Sequence, residues 1–379
     1  MVPEIEVETS EIPDNDAINF VKDMKTGWNL GNTLDAYQDS YSGDDLNIES
    51  SWCDIRTSEA MIDAVKDAGF QTIRIPVTWH NHLENGYQIK AAWADRVQEV
   101  VDYAIDKGMY VIINIQHDID RDYIYPDMEI LDQSLEFMET IWQQIAARYG
   151  DYDDHLIFDS LNECRLKDTE DEWYNNISDD EAAGTLNENM KAALDCINRL
   201  NQKFVDTVRA AGGNNATRYL MIEGYDGSAD GVLNEDFVMP VDVNEGTSKL
   251  LASVHAYIPY NFALQPPAEN GSVSEFDYTN TRSTADIDTM MQKLYDKYIS
   301  RGTAVVIGEF GARQKADNLQ SRVDFTAYYV AAARAKGMSC LWWDNNMFEG
   351  TGENFGLMDR KTITWIMPEI VEAMMKYSK

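Results

Sequence analysis

The chain has 379 residues, enough for one large domain or two average ones, and sets 31 Lys plus Arg against 66 Asp plus Glu, a formal charge of −35. Such a field repels nucleic acid phosphates and anionic lipid surfaces, so the expected partner is neutral or cationic, with no nucleic acid and no membrane among the candidates. No run of eighteen apolar residues exists to span a bilayer, and Met1 to Asp16 is acidic rather than basic and then apolar, so the chain as it stands shows no export signal and the compartment is left open.

After a lead segment, 1–20, eight short apolar or β-branched runs follow in order: 27–34, 72–79, 110–118, 155–163, 218–225, 249–257, 303–312 and 339–345. Several are continuously hydrophobic rather than alternating, as strands buried on both faces require. Amphipathic segments separate most of them. Segment 58–69 opens on Ser58 as a cap, places Met61, Ile62, Val65 and Ala68 at helical spacing and stops at Gly69; 93–107 before Gly108 and 325–336 before Gly337 repeat that grammar. The stretch 226–248 has little helical periodicity, so the fifth crossover is expected to be irregular. Connections 35–57, 164–217 and 258–302 exceed what a crossover needs and are expected to wall a cleft. The closing segment is 346–379, and no repeat, linker or second-domain boundary is visible.

Alternating strands and helices give an α/β fold, and eight units favour a closed (β/α)8 TIM barrel over an open doubly wound sheet. The first strand carries no phosphate-binding loop, because Trp28 and Leu30 stand where a pyrophosphate would need close backbone approach. No cofactor and no metal are expected. Cys53, Cys164, Cys196 and Cys340 lack metal-ligand spacing and read as free thiols. His80 and His82 resemble a ligand pair but have no complementary pair and read as loop residues.

In such a barrel the C-terminal ends of the strands converge on one face. The residues closing the runs there are Asn29, Asn32, Arg74, Trp79, Gln116, His117, Asn162, Glu163, Glu223, His255, Tyr257, Glu309, Trp342 and Trp343. Carboxylates, amides and aromatics in that mixture suit sugars, whose hydroxyls want hydrogen-bond partners and whose C–H faces want flat platforms. Two carboxylates on different strands, Glu163 and Glu309, are the minimum equipment for glycosidic cleavage. Of the adjacent tryptophans only one can face the cleft; Trp343 is expected to, with Trp342 packed behind. Trp52, Trp173, Tyr260 and Phe262 lie on long loops and read equally as outer sugar platforms or as packing.

The motifs Gly27-Trp28-Asn29-Leu30-Gly31-Asn32, Arg74 within 73–79, Leu161-Asn162-Glu163-Cys164-Arg165, His255-Ala256-Tyr257, Gly308-Glu309-Phe310-Gly311 and Trp343-Asp344-Asn345 together resemble glycoside hydrolase family 5, specifically its fourth subfamily of endo-β-glucanases and xyloglucanases. The resemblance spans residues 20–378. It implies a retaining, endo-acting β-1,4-glucan hydrolase of plant cell-wall glucans, monomeric and extracellular or cell-surface, with β-glucan as its partner. By the same resemblance Glu163 is the acid/base and starts neutral, and Glu309 is the nucleophile, kept charged by Arg74 and Tyr257. Asn162 binds the sugar 2-hydroxyl, Trp343 stacks beneath the reacting ring, His255 orients Glu163, and Asn29, Gln116 and His117 support the site. The sequence departs from the pattern at Gln116, where a histidine is usual, at Cys164, where a proline is, and at Asp159 and Glu223. Gln116 motivates a rival reading as an impaired carbohydrate-binding relative, and a mannanase or xylanase on the same barrel is a further alternative.

Overall fold

The computed structural model describes residues 1–40, 45–243 and 249–379. Eight strands close into a barrel in sequence order: β1 (Gly27–Leu30), β2 (Thr72–Ile75), β3 (Tyr110–Ile113), β4 (Leu156–Asp159), β5 (Leu220–Ser228), β6 (Leu250–His255), β7 (Val305–Phe310) and β8 (Ser339–Asp344). Each pairs in parallel with its neighbours, and β8 returns to β1. The continuous apolar runs are explained by this placement, since nearly every strand residue is buried between the interior and the outer helices.

Those helices are α1 (Asp16–Met24), α2 (Glu59–Asp67), α3 (Ala91–Ile105), α4 (Leu131–Arg148), α5 (Ile177–Ala183), α6 (Glu188–Ala210), α7 (Ala229–Leu233), α8 (Tyr260–Ala263), α9 (Thr281–Lys297), α10 (Leu319–Ala335) and α11 (Pro368–Tyr377). Helix α2 buries Met61, Ile62 and Val65 on one side, and Gly69 after it takes φ +108°, the conformation the stop required. Helix α10 begins two turns before the expected 325, because Arg322 and Val323 are buried too and the amphipathic edge that marks a helix start is missing. The fifth crossover holds only the short α7; part of the expected irregular stretch, residues 244–248, lies outside the described residues.

Most strands end earlier than the sequence runs suggest. Past Ile75 the backbone of β2 turns from the ladder to side chains: Val77 N–H donates to Asn114 Oδ1 at 3.1 Å, and Trp79 N–H reaches the Asp118 carboxylate at 3.1 Å. These apolar extensions are the first residues of the catalytic-face loops, which is why they read as strand and pair as something else. Register then fixes neighbours across the face. Asn29 lies between Arg74 and Trp343, and His255 lies beside Glu309. The last pairing needs a bulge at Gly308, where a Cβ would stand 3.3 Å from His255 Nε2.

Candidate active site

Glu309 is seated by two donors. Arg74 Nη1 lies 2.7 Å from one carboxylate oxygen and the Tyr257 hydroxyl donates to the other at 2.7 Å. Arg74, wholly buried on β2, also contacts Asp159 Oδ2 at 3.3 Å, Asn29 Oδ1 at 3.2 Å, Asn162 Oδ1 at 2.9 Å and Gln116 Oε1 at 3.5 Å. Burial works against its charge, but Glu309 and Asp159 outweigh burial and hold the guanidinium ionised. A rigid cation beside one glutamate oxygen and a phenol on the other fix the orientation of this carboxylate.

Glu163 is built differently. Its backbone takes φ +51°, strained for a residue with a Cβ, at a cost of about 1–3 kcal/mol. Three contacts hold it there: its N–H donates to Glu223 Oε2 at 2.9 Å, its carbonyl accepts from Arg165 Nη1 at 2.9 Å, and His255 Nδ1 lies 2.8 Å from its Oε1. Burial pushes the Glu163 carboxyl up, but the bond to His255, the imidazolium charge, Arg165 and His117 together bring it below its ordinary value. His255 shows the complement. Burial alone would depress it, yet the charges of Glu309 and Glu223 and the bond to Glu163 raise it well above a free histidine. Both shifts share one cause, the 2.8 Å contact between His255 Nδ1 and Glu163 Oε1, in which each group favours the charged form of the other.

Of the supporting residues, Asn29 is spent inside the protein, its amide donating to the carbonyls of Gly308 at 2.9 Å and Trp342 at 3.2 Å, so it steadies the site and has nothing left for a sugar. Asn162 uses its oxygen on Arg74 and has an NH2 to offer. Gln116 accepts from Asn114 Nδ2 at 2.6 Å, which fixes its oxygen inward, and its amide nitrogen bonds nothing among the described residues. His117 is set apart from the glutamate pair, 3.8 Å from Asp35 and against the rings of Tyr37 and Trp52. Trp343 retains 8 % exposure while Trp342 has none and donates to Phe355 O, the expected division of labour. The Gly31 backbone lies so close to the Trp343 indole edge that a Cβ would come within 2.8 Å of it.

Sequence reasoning did not assign roles to Arg165, Asp226, Asn114 or Glu353. Arg165 lies in the Glu163 motif, so its position was the signal; besides the Glu163 carbonyl it reaches Glu172 at 3.2 Å and Asp226 at 3.8 Å, and its guanidinium lies 4.1 Å from the exposed Trp173 ring. Asp226 carries no signal in an irregular stretch; burial, then the charge of Glu163, pushes its carboxyl up to about 8. Burial likewise raises Asp159 to about 7, with Glu223 adding to it. Cys164 is buried and its thiol is driven up by burial, which removes it as a nucleophile. His82 stacks on Trp93 with ring centroids 3.5 Å apart, while His80 bonds Asp118, so they do not converge as a ligand pair.

Among the described residues one trio, Glu163, His255 and Glu309, brings ligand-type atoms within 4.8 Å of one another. Paired carboxylates with a histidine between them and an aromatic side chain beside them are the equipment of a glycoside hydrolase.

Comparison with known proteins agrees. The family model described as cellulase (glycosyl hydrolase family 5) matches residues 34–349, and the chain belongs to that family. Endoglucanase B of Ruminococcus albus is 40% identical over 383 residues, covering 99% of this chain and 85% of the relative. A family 5 lichenase from a Caldicellulosiruptor species, solved free and, as a variant, with cellotetraose, is 53% identical over the whole of both chains with a TM-score of 0.96. A broad-specificity endoglucanase from Ruminococcus champanellensis with bound cellotriose is 40% identical, covers 97% of this chain and 100% of its own, and has a TM-score of 0.84. The activity is endo-β-1,4-glucanase or lichenase action on β-glucans. Among the described residues no helix is long and apolar enough to cross a membrane.

Proposed function

We propose that the chain cleaves internal β-1,4 bonds with retention of configuration, Glu309 as nucleophile and Glu163 as acid/base. The observation that carries this is the separation of the two carboxylates. Their nearest ligand atoms lie within 4.8 Å, and a retaining pair stands roughly 5–5.5 Å apart while an inverting pair needs roughly 6.5–9.5 Å to admit a water. In the first half, a Glu309 oxygen attacks the anomeric carbon as the bond to the leaving oxygen breaks. Glu163 gives its proton to that oxygen as the bond breaks. In the second half Glu163 takes a proton from water, the water oxygen bonds the anomeric carbon, and Glu309 departs as carboxylate.

The glycone is read as lying along Trp343 and the Tyr37, Trp52 and His117 wall, and the leaving side as facing Arg165 and Trp173. The cello-oligosaccharides bound by the two relatives support a cellulose or mixed-linkage substrate, and β-glucan chains are neutral, in keeping with the −35 charge. Proton NMR of freshly released ends from lichenan tests the reading: the β anomer is expected first, and an α anomer refutes it. With a dinitrophenyl cellobioside, whose leaving group needs no proton, Glu163→Gln should keep fast glycosylation while Glu309→Gln stays inactive. Equal loss in both would count against the assigned roles.

A further inference from the structure

Gly31 follows β1 directly, at the rim of the catalytic face, and its lack of a side chain is not demanded by its own backbone. Its φ lies outside the left-handed region that reserves a position for glycine. Space is what excludes a side chain. A Cβ there would stand 2.8 Å from both Cη2 and Cζ2 of Trp343 and 3.0 Å from the Asp344 carbonyl oxygen. Carbon atoms settle roughly 3.5–4.0 Å apart, so even one methyl group must displace the benzo edge of the indole or the strand that carries it.

The two sides of that contact are held differently. Gly31 N–H donates to the Asp344 carbonyl at 3.0 Å, and the buried Arg360 gives Nη1 to the Gly31 carbonyl at 2.5 Å and Nη2 to the Asp344 carbonyl. One guanidinium thus ties down the backbone under the ring edge and the backbone just after Trp343. The indole itself has no such tie. Among the described residues its Nε1 donates to nothing and no aromatic ring packs on it, whereas Trp342 donates to the Phe355 carbonyl at 3.0 Å and meets Phe310 edge-on. The tilt of Trp343 is set by shape, and the bare Cα of Gly31 is a surface on which its edge rests.

We infer that Gly31 is a positioning residue for the reaction: its bare face lets Trp343 lie at the tilt that presents the anomeric carbon to Glu309. This rests on the reading of Trp343 as the platform of the reacting ring. Binding and turnover then respond differently. A displaced indole still offers a flat apolar face, so sugar still binds. Attack, however, needs carbon and carboxylate oxygen close and in line, and a misplacement on the order of 1 Å costs about 10²-fold in rate. The effect is independent of the leaving group, because the reacting ring occupies the same platform whatever lies beyond the bond.

The test is a double-mutant cycle read on two substrates. Gly31→Ala should lower kcat by about 10²-fold on lichenan and on a dinitrophenyl cellobioside alike, with KM within about threefold of wild type. In a Trp343→Phe background, which lacks the two edge carbons, adding Gly31→Ala should cost less than about threefold. An unchanged kcat, a loss carried by KM, a loss confined to one substrate, or an equal loss in both backgrounds overturns the inference. Should the alanine variant fail to fold, the unsubstituted protein still decides. The Trp343 Nε1–H signal, assigned by its disappearance in Trp343→Phe, should relax as a rigid group without sugar, with an order parameter of about 0.85, and a value below about 0.6 overturns the inference. The platform reading fails separately, if Trp343→Ala keeps kcat/KM on both substrates within about twofold of wild type.

Discussion

Two buried histidines in this protein are pushed in opposite directions by their surroundings. His255 is 7 % exposed and His82 is not exposed at all, yet His255 is raised well above the ordinary histidine value while His82 is pushed down to about 3. Burial disfavours the cation at both sites. What differs is the neighbourhood: His255 lies between the carboxylates of Glu163, Glu223 and Glu309, whereas His82 lies flat on Trp93, both ring nitrogens without a hydrogen-bond partner and Lys90 nearby. Desolvation alone favours the neutral ring, and it takes anions around a buried ring to reverse that preference.

Replacing each ring with phenylalanine breaks the comparison most sharply. His255→Phe leaves Glu163 without its closest side-chain partner among buried carboxylates, so kcat/KM on lichenan should fall by about 10²–10⁴-fold, with about 3–5 kcal/mol lost from stability in urea titration. His82→Phe should leave kcat/KM within twofold of wild type, since it keeps the stack on Trp93; a large loss there would show that the loop between β2 and α3 controls the site.

Acid sharpens the same contrast. His82 has a folded pKa below its unfolded value, so the stability it contributes is present above about pH 6.5 and drains away as pH falls toward 3, by ~2 kcal/mol at pH 5. His255, raised on folding, contributes stability that is complete below the unfolded value and is lost only as pH climbs through its folded one. Thermal melts of His82→Phe should therefore lose less than wild type between pH 7 and pH 5, and identical pH slopes would show that His82 is charged or exposed in solution.

Smaller effects are expected at the edges of the site. Gln116→His replaces a neutral amide beside Arg74, and turnover should change by no more than about five- to tenfold, ~1 kcal/mol. A rescue of several orders of magnitude would mean that Gln116 had disabled the enzyme. Finally, because cleavage by a pair of protein carboxylates calls on no metal-activated water, a chelator should leave the rate on lichenan unchanged; loss of activity that added metal restores would refute the double-displacement reading.

The barrel was legible because strands buried on both faces leave a strong, continuous pattern, and eight such runs leave few alternatives. Glu163, Glu309, Arg74 and Tyr257 were legible because they close those runs within motifs. Less legible was everything decided by who faces whom. Nothing in the sequence says that Asn29 exhausts its amide on strand carbonyls, that Glu223 reaches around His255, or that Asp226 folds back toward Arg165. The surroundings of Glu163 were hidden for the same reason: its closest side-chain partner, His255, sits 92 positions away.

The seam between β8 and β1 has a consequence for biosynthesis. Asp344 accepts from Trp28 Nε1, from Leu357 N–H and from Met358 N–H, and Arg360 ties it to the Gly31 carbonyl, a set of contacts that includes partners 316 positions apart. A nascent chain emerging from the ribosome thus exposes the free edge of β1 until β8 and the segment that carries Arg360 have been made. Long-range closure of this kind is slow, and an open parallel edge invites pairing with other chains. Chaperone dependence and aggregation of prematurely terminated products should concentrate in that interval of synthesis, and fall away once Asp344 has found Trp28.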